Sequence, residues 1–259
     1  MMKRLWFAFA FLFPAYSCVK DAYAPEHARP VADSDVTVWD VGIPDFSGVC
    51  ISYDKSFLWG VSNSEGIYKL DFEGNIIEHT LEVTNDFEAI TVDRANGNIY
   101  LVEETDAEKS KNSNTIYRFN PDTKALDIIY QVEIPNSISN KGLEGIAVVG
   151  GELWVGNQDA PKIIVKYNPA SKTVTGSLTL DWAGYISDLA YDPDDDTLWM
   201  SDTRKGRIVN FSKEGNIIKT YSTESIIRKP EGIALDKDRN CIWLCCDDTG
   251  QLAKMKYKF

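Results

Sequence analysis

Histidine is scarce in this chain of 259 residues: His27 and His79 are the only two. A mechanism built on a histidine base, a histidine triad or a histidine-rich metal centre has almost nothing to draw on. Positive charge is also short, with 27 Lys and Arg against 39 Asp and Glu and a net charge of −12. Such a balance argues against nucleic acid and anionic membrane as partners, and acidic proteins more often hold cations. Long apolar runs are missing too, since the run over 5–13 has nine residues and is too short for a resident membrane helix. What is present is 44% hydrophobic residues, enough for a sizeable core in one large domain or two small ones.

The first segment reads as an address. Lys3 and Arg4 precede the apolar run, and Pro14-Ala15-Tyr16-Ser17-Cys18 follows it, the pattern of an export signal over 1–17. Cleavage before Cys18, after the small Ser17, resembles a bacterial lipoprotein signal in which Cys18 becomes the lipidated N-terminus, although Ala15 stands where that pattern prefers Leu. The competing cut, after Ala24, places Lys20 and Asp21 in the cleavage region and Pro25 directly behind it. The expectation is an exported protein, lipid-anchored in the bacterial envelope at the outer membrane, on its periplasmic or surface face, with the lipid as its sole membrane contact. Residues 18–35, with Pro25 and Pro30 and no apolar periodicity, read as a tether in which His27 is solvated. The domain is then 36–259.

That domain repeats one motif five times. Short apolar strands carry an aromatic at a fixed place, Trp59, Tyr100, Trp154, Trp199 and Trp243, spaced by 41, 54, 45 and 44 residues. This period fits four-stranded propeller blades and leaves little room for crossover helices. An inner strand precedes each aromatic, at 47–51, 88–92, 144–148, 188–191 and 231–235, and a third strand follows, at 67–70, 116–119, 163–167, 207–211 and 252–255. Turns such as Asn96-Gly97-Asn98 separate them. Fourth strands are expected over 76–83, 126–134, 173–180 and 217–221, and the fifth repeat ends without one. The strand-like segment 36–41 supplies it, so the expected fold is all-β, a five-bladed β-propeller closed by an N-terminal strand on the last blade. Closure removes open sheet edges, in keeping with a monomer.

Two polar columns fall on one face of such a disc. The starts of the inner strands read Ser47, Glu88, Glu144, Asp188 and Glu231, and the residues after the second strands include Asn63, Glu103-Glu104, Asn157-Gln158, Asp202-Thr203 and Cys246-Asp247. Four carboxylates converging on one axis repel, and they either take up protons or admit a cation. Oxygen ligands without histidine select Ca²⁺, with Mg²⁺ second, over zinc or copper. The expected metal ligands are drawn from Glu88, Glu144, Asp188 and Glu231, assisted by Asn157 or Asp202. In the competing reading these acids cap turns where blades join, and Asp202, ahead of Thr203-Arg204-Lys205-Gly206, leans that way.

The segments Leu143-Glu144-Gly145-Ile146-Ala147, Pro230-Glu231-Gly232-Ile233-Ala234-Leu235-Asp236 and Leu198-Trp199-Met200-Ser201-Asp202 resemble NHL-type blades. With five repeats in an exported chain, the sequence resembles the SdiA-regulated propeller family over most of 36–259. The resemblance implies a five-bladed propeller with a calcium site, distantly similar to six-bladed gluconolactonase-type hydrolases whose metal ligands sit at inner-strand starts. It places that role on Glu88, Glu144, Asp188 and Glu231. Ser47 departs from the pattern, and the different blade count means that catalysis does not transfer with the fold.

The largest insertion, 103–114, lies on the acidic face as a lid or a solvated loop. Asp192-Pro193-Asp194-Asp195-Asp196 lacks the Gly and terminal Glu of an EF-hand and reads as a tight solvated turn on the opposite face. Cys50, Cys241, Cys245 and Cys246 fall in the first and last blades, neighbours once the ring closes, either as buried thiols or with Cys50 bridged to the fifth blade. Three functions remain open: a calcium-binding, membrane-tethered propeller taking a small molecule, glycan or protein partner at its acidic face; a metal-dependent hydrolase of esters, lactones or phosphate esters; and a scaffold without metal.

Overall fold

The computed structural model describes residues 35–104, 114–134 and 141–259. The segment expected to be an export signal, Cys18, nearly all of the expected tether and the tip of the insertion 103–114 lie outside the described residues.

Among the described residues, twenty strands form five antiparallel sheets of four. Blade 1 holds β2 (Phe46–Ile51), β3 (Leu58–Ser62), β4 (Gly66–Leu70) and β5 (Ile76–Glu82). Blade 2 holds β6 (Phe87–Val92), β7 (Ile99–Glu103), β8 (Thr115–Asn120) and β9 (Ala125–Gln131). Blade 3 holds β10 (Leu143–Val149), β11 (Glu152–Asn157), β12 (Ile163–Asn168) and β13 (Thr173–Thr179). Blade 4 holds β14 (Asp188–Asp192), β15 (Thr197–Asp202), β16 (Arg207–Ser212) and β17 (Ile217–Ser222). Blade 5 combines β18 (Ile233–Asp236), β19 (Cys241–Cys246) and β20 (Gln251–Lys256) with β1 (Val36–Asp40) from the other end of the domain. The closing strand is antiparallel to β20, in register from Val36 opposite Met255 to Asp40 opposite Gln251. The expected architecture is therefore the observed one. The outer strand β9 ends at Gln131, short of the expected 134, although one further ladder bond follows, from Val132 N–H to the carbonyl of Asn114.

The core is divided among the five blade junctions. Each repeat aromatic is at least 95% buried and packs against the following blade. Trp59 meets Phe87 and Phe119, Tyr100 meets Leu143 and Tyr167, and Trp154 meets Leu198 and Phe211. Trp199 meets Ile242 and Met255, and Trp243 closes the ring against Phe46 and Leu58. A large flat side chain suits the wedge between two twisted sheets, where it buries most of its area without a ligand role.

The inner strands β2, β6, β10, β14 and β18 each touch their neighbours around the axis. Small residues allow this approach. A Cβ added to Gly145 would stand 2.9 Å from the Cα of Asp188, and one added to Gly232 would stand 2.7 Å from the backbone nitrogen of Val49. Gly48, Ala89, Gly145 and Gly232 thus form a neck immediately behind the acidic column.

The turn after β14 is tight as expected, but its first residue is not solvated. Asp192 is 2% exposed and is paired with Lys237, which also reaches Asp194 at 2.6 Å. The four thiols Cys50, Cys241, Cys245 and Cys246 are buried and free, so no bridge joins blade 1 to blade 5.

Candidate metal centre at the acidic channel mouth

A β-bulge aims the acidic column. In blades 1, 2 and 3 the ladder between the inner strand and its neighbour skips one residue, and the skipped residues are Ser47, Glu88 and Glu144. In blade 5 Glu231 and Gly232 both bond to Cys245, through Glu231 N–H to its carbonyl at 2.9 Å and its own N–H to the Gly232 carbonyl at 3.2 Å. A residue released from the pleat at a bulge can be redirected out of the strand's alternation. Here the released residues are those of the predicted column.

The second column meets the first. Asn63 hydrogen-bonds to Glu88, and Gln158 to Glu144. The Thr203 hydroxyl stands 3.0 Å from Glu231 Oε2 and 2.9 Å from the Pro230 carbonyl. Glu104 is buried, and its Oε1 accepts the Gly142 N–H at 2.5 Å, fastening blade 2 to the entry of blade 3. Asp86, Glu88 and Glu104 bring one carboxylate oxygen each to within 4.8 Å of one another. Among the described residues this is the group of three acids with the spacing of a cation site. Of the expected ligands it includes Glu88. Glu104 belongs to the predicted second column, whereas Asp86 lies ahead of β6, outside both repeat columns.

Electrostatics mark the same place. Burial, then repulsion from Glu104, Asp86 and Glu231, holds the Glu88 carboxyl well above the usual glutamate range. Burial, then Glu88, Glu231 and Glu104, does the same to Glu144. Glu104 is pushed up to about 7, chiefly by burial, against the opposing Gly142 hydrogen bond. Glu231 also rises to about 7, by burial and by Asp247 beside it. These acids thus hold protons near neutrality unless a cation offsets their repulsion.

Two of the expected ligands, Asp188 and Asp202, are engaged by backbone N–H groups instead. Blade 4 lacks the bulge, so Asp188 pairs directly with Ser201. Its carboxylate accepts backbone N–H groups of Leu189 at 2.7 Å, Ile233 at 2.9 Å and Ile146 at 3.4 Å, one from each of three blades. Asp202 is fully buried, accepts the N–H groups of Gly184, Tyr185 and Lys205, and pairs with Arg207 at 2.9 Å. Both acids match the turn-capping reading of the sequence. Asn157 donates through Nδ2 to the carbonyls of Asp159 and Pro161. Its Oδ1 and the Oε1 of Gln158 are buried acceptors that take no hydrogen bond from the described residues. Gln158 adjoins the cluster, since its N–H donates to the carbonyl of Gly142, the residue that holds Glu104. His79 is far removed in role, stacked on Tyr68 in the outer strand of blade 1.

The SdiA-regulated family profile matches residues 40–183 and 178–258, nearly the whole propeller. The chain belongs to the SdiA-regulated family. No curated protein matches this family member in sequence. Solved structures resemble its fold. A Bacteroides thetaiotaomicron protein of unknown function aligns with a TM-score of 0.55 at 13% identity over 84% of this chain, which spans 60% of that protein. Myxococcus xanthus glutaminyl cyclase aligns with a TM-score of 0.62 at 10% identity, over 85% of this chain and 93% of the cyclase. The Xanthomonas campestris gluconolactonase XC5397 gives 0.54 at 13% identity, over 81% and 71% of the two chains. At these identities the likeness is one of fold.

Proposed function

We propose that this SdiA-regulated propeller is a Ca²⁺-binding protein of the bacterial envelope, tethered through Cys18, whose acidic face binds a small molecule, glycan or protein partner. The observation that carries the cation is the convergence of Asp86, Glu88 and Glu104, whose oxygens lie within 4.8 Å of one another. Three carboxylates so placed suit a hard divalent ion, and oxygen-only ligation favours Ca²⁺ over transition metals. The unpartnered oxygens of Gln158 and Asn157 add neutral donors of the kind Ca²⁺ accepts. Asp188 and Asp202 serve as braces, and Glu144 and Glu231 face the site as flanking charge.

Elemental analysis of purified protein tests the reading directly. About one calcium per chain is expected, lost in the Glu88→Gln/Glu104→Gln double variant. A folded protein free of calcium, or one whose calcium survives that double change, contradicts it.

The hydrolase reading draws on Glu231, outside the three-acid cluster, whose carboxyl, pushed up to about 7 by burial and by Asp247, has the poise of a general base. A screen of lactones and aryl esters with and without EDTA decides it. Turnover abolished by EDTA upholds hydrolysis, and silence across the screen removes it.

A further inference from the structure

The opposite mouth of the channel has different chemistry. The inner strands end there, and their last residues wall a recess of about 410 Å³. Ile51, Ile90, Val92, Val148, Leu189 and Leu235 supply apolar sides from all five blades. The β10–β11 turn at its rim is Gly150-Gly151, with no side chain to cover the opening and nothing within 4 Å of where either Cβ would stand. That size is within the range of small-molecule pockets, which combine apolar walls with a few placed polar groups.

Arg94 is the placed polar group. Its Nη1 donates to the Ser52 carbonyl at 2.7 Å and its Nη2 to the Ile51 carbonyl at 2.8 Å, so blade 1 fixes the guanidinium of a blade 2 residue at the rim. Both acceptors are neutral, and they use two of the five N–H groups of the fork. Three cations near the recess, Lys55, Lys237 and Arg239, are matched. Lys55 pairs with Asp238 at 2.8 Å, Lys237 with Asp192 and Asp194, and Arg239 with Asp236 at 3.2 Å. Asp93, beside Arg94 in the recess wall, is tied into its own turn by Ala95 N–H at 2.9 Å and Asn96 Nδ2 at 2.6 Å. Asp238 interacts with Arg94 only at longer range, after Lys55 and Arg239. Cys50, which also lines the recess, is a buried thiol pushed far up by burial and carries no charge.

We propose that this recess is a second ligand site, separate from the acidic mouth, and that it takes a small monocarboxylate with an apolar body. The carboxylate pairs with the free edge of the Arg94 guanidinium, and the alkyl or aryl body lies against the Ile, Val and Leu walls. A single fixed cation matches a single negative charge, and planar bidentate recognition of carboxylate is what a braced guanidinium does well. Apolar walls offer nothing to a sugar or to a multiply charged phosphate ester.

Calorimetric titration of the full chain with octanoate tests the site, with octanol as the uncharged match and acetate as the charge without the body. Octanoate is expected to bind at least tenfold more tightly than either, with the same affinity in the presence of EDTA. Arg94→Gln is expected to weaken octanoate at least tenfold. Because that change also removes two inter-blade hydrogen bonds, Ala95→Glu is the companion variant. It sets a carboxylate at an exposed rim position and is expected to abolish binding while leaving the melting temperature unchanged. Absence of octanoate binding at low millimolar concentration overturns the proposal and leaves Arg94 a clamp between blades. Equal binding of octanol, unchanged binding in a folded Arg94→Gln or Ala95→Glu protein, or loss of binding in EDTA also overturns it.

Discussion

Asp188 of blade 4 accepts the backbone N–H of Ile233 in blade 5 at 2.9 Å, and the same carboxylate takes Ile146 N–H of blade 3 at 3.4 Å. One buried side chain therefore ties three inner strands together around the axis. Removing it leaves buried N–H donors without acceptors, at roughly 1–3 kcal/mol apiece. Asp188→Ala is expected to lower the stability of the fold by about 3 kcal/mol, read as a lower urea midpoint, while the folded fraction keeps its calcium affinity. Loss of calcium with unchanged stability would instead make Asp188 a ligand.

Among the described residues, the closing strand is the partner of β20 on its outer side. Deleting the residues through Asp40 leaves β20 as an exposed edge and strips cover from Trp39's partner, Trp243. The truncated protein is expected to melt earlier and to self-associate, as seen by light scattering. A monomer of unchanged melting temperature would argue against strand closure as the lock.

Trp243 lies fully buried at the junction of the last and first blades. Trp243→Ala is expected to cost about 3–5 kcal/mol, the usual range for emptying an aromatic core site. Chemical denaturation measures it, and a cost under about 1 kcal/mol, the size of a single-methylene deletion, would contradict this account of the junctions.

The thiols give a simple count. Cys50, Cys241, Cys245 and Cys246 are free, so four thiols besides Cys18 are expected to titrate in denatured protein, before and after reduction alike. In the native state they should react slowly, since burial hides them and pushes Cys241, for one, up to about 12. A rise in the count on reduction would reveal a bridge.

The acidic cluster fixes the sign of a pH effect. Glu88 is held well above the usual glutamate range, and Glu104 and Glu231 stand at about 7 against 4.5. Between those values the folded protein binds more protons than the unfolded chain, so the cluster's contribution to stability falls as pH rises from about 4.5 to 7. Cation-free protein is expected to lose melting temperature over that window. Calcium at about 100 times its dissociation constant adds about 2.7 kcal/mol, or roughly 5–10 °C, near pH 7.5, and much less near pH 5, where protons compete for the same oxygens. Equal calcium stabilisation at both pH values would contradict the assignment.

Blade number, strand closure and the two polar columns were legible in the sequence because each repeats with the period of the fold. Trp59, Tyr100, Trp154, Trp199 and Trp243 announce the junctions at which they are buried. The columns reached the correct face, since the starts of inner strands and the ends of their neighbours must meet there. Asp86 was not legible, because it lies in a connection outside the repeat and joins Glu88 and Glu104 only through the fold. Nor was the bulge, which releases Glu88 and Glu144 from the pleat but leaves Asp188 paired with Ser201. That difference in backbone, invisible in a column of acids, separates the brace Asp188 from carboxylates released from the ladder. The Arg94 recess escaped for the same reason, since nothing in the repeat shows which cations find carboxylates.

Calorimetric titration of Ca²⁺ into chelator-treated protein tests the central claim most directly, with Glu88→Gln and Glu104→Gln beside it and Asp195→Asn, in the turn of the opposite face, as the control. The account predicts one saturable site per chain, unchanged in the control and at least tenfold weaker in each glutamate variant. Negligible heat in the unaltered protein, or equal affinity in all four, would contradict it.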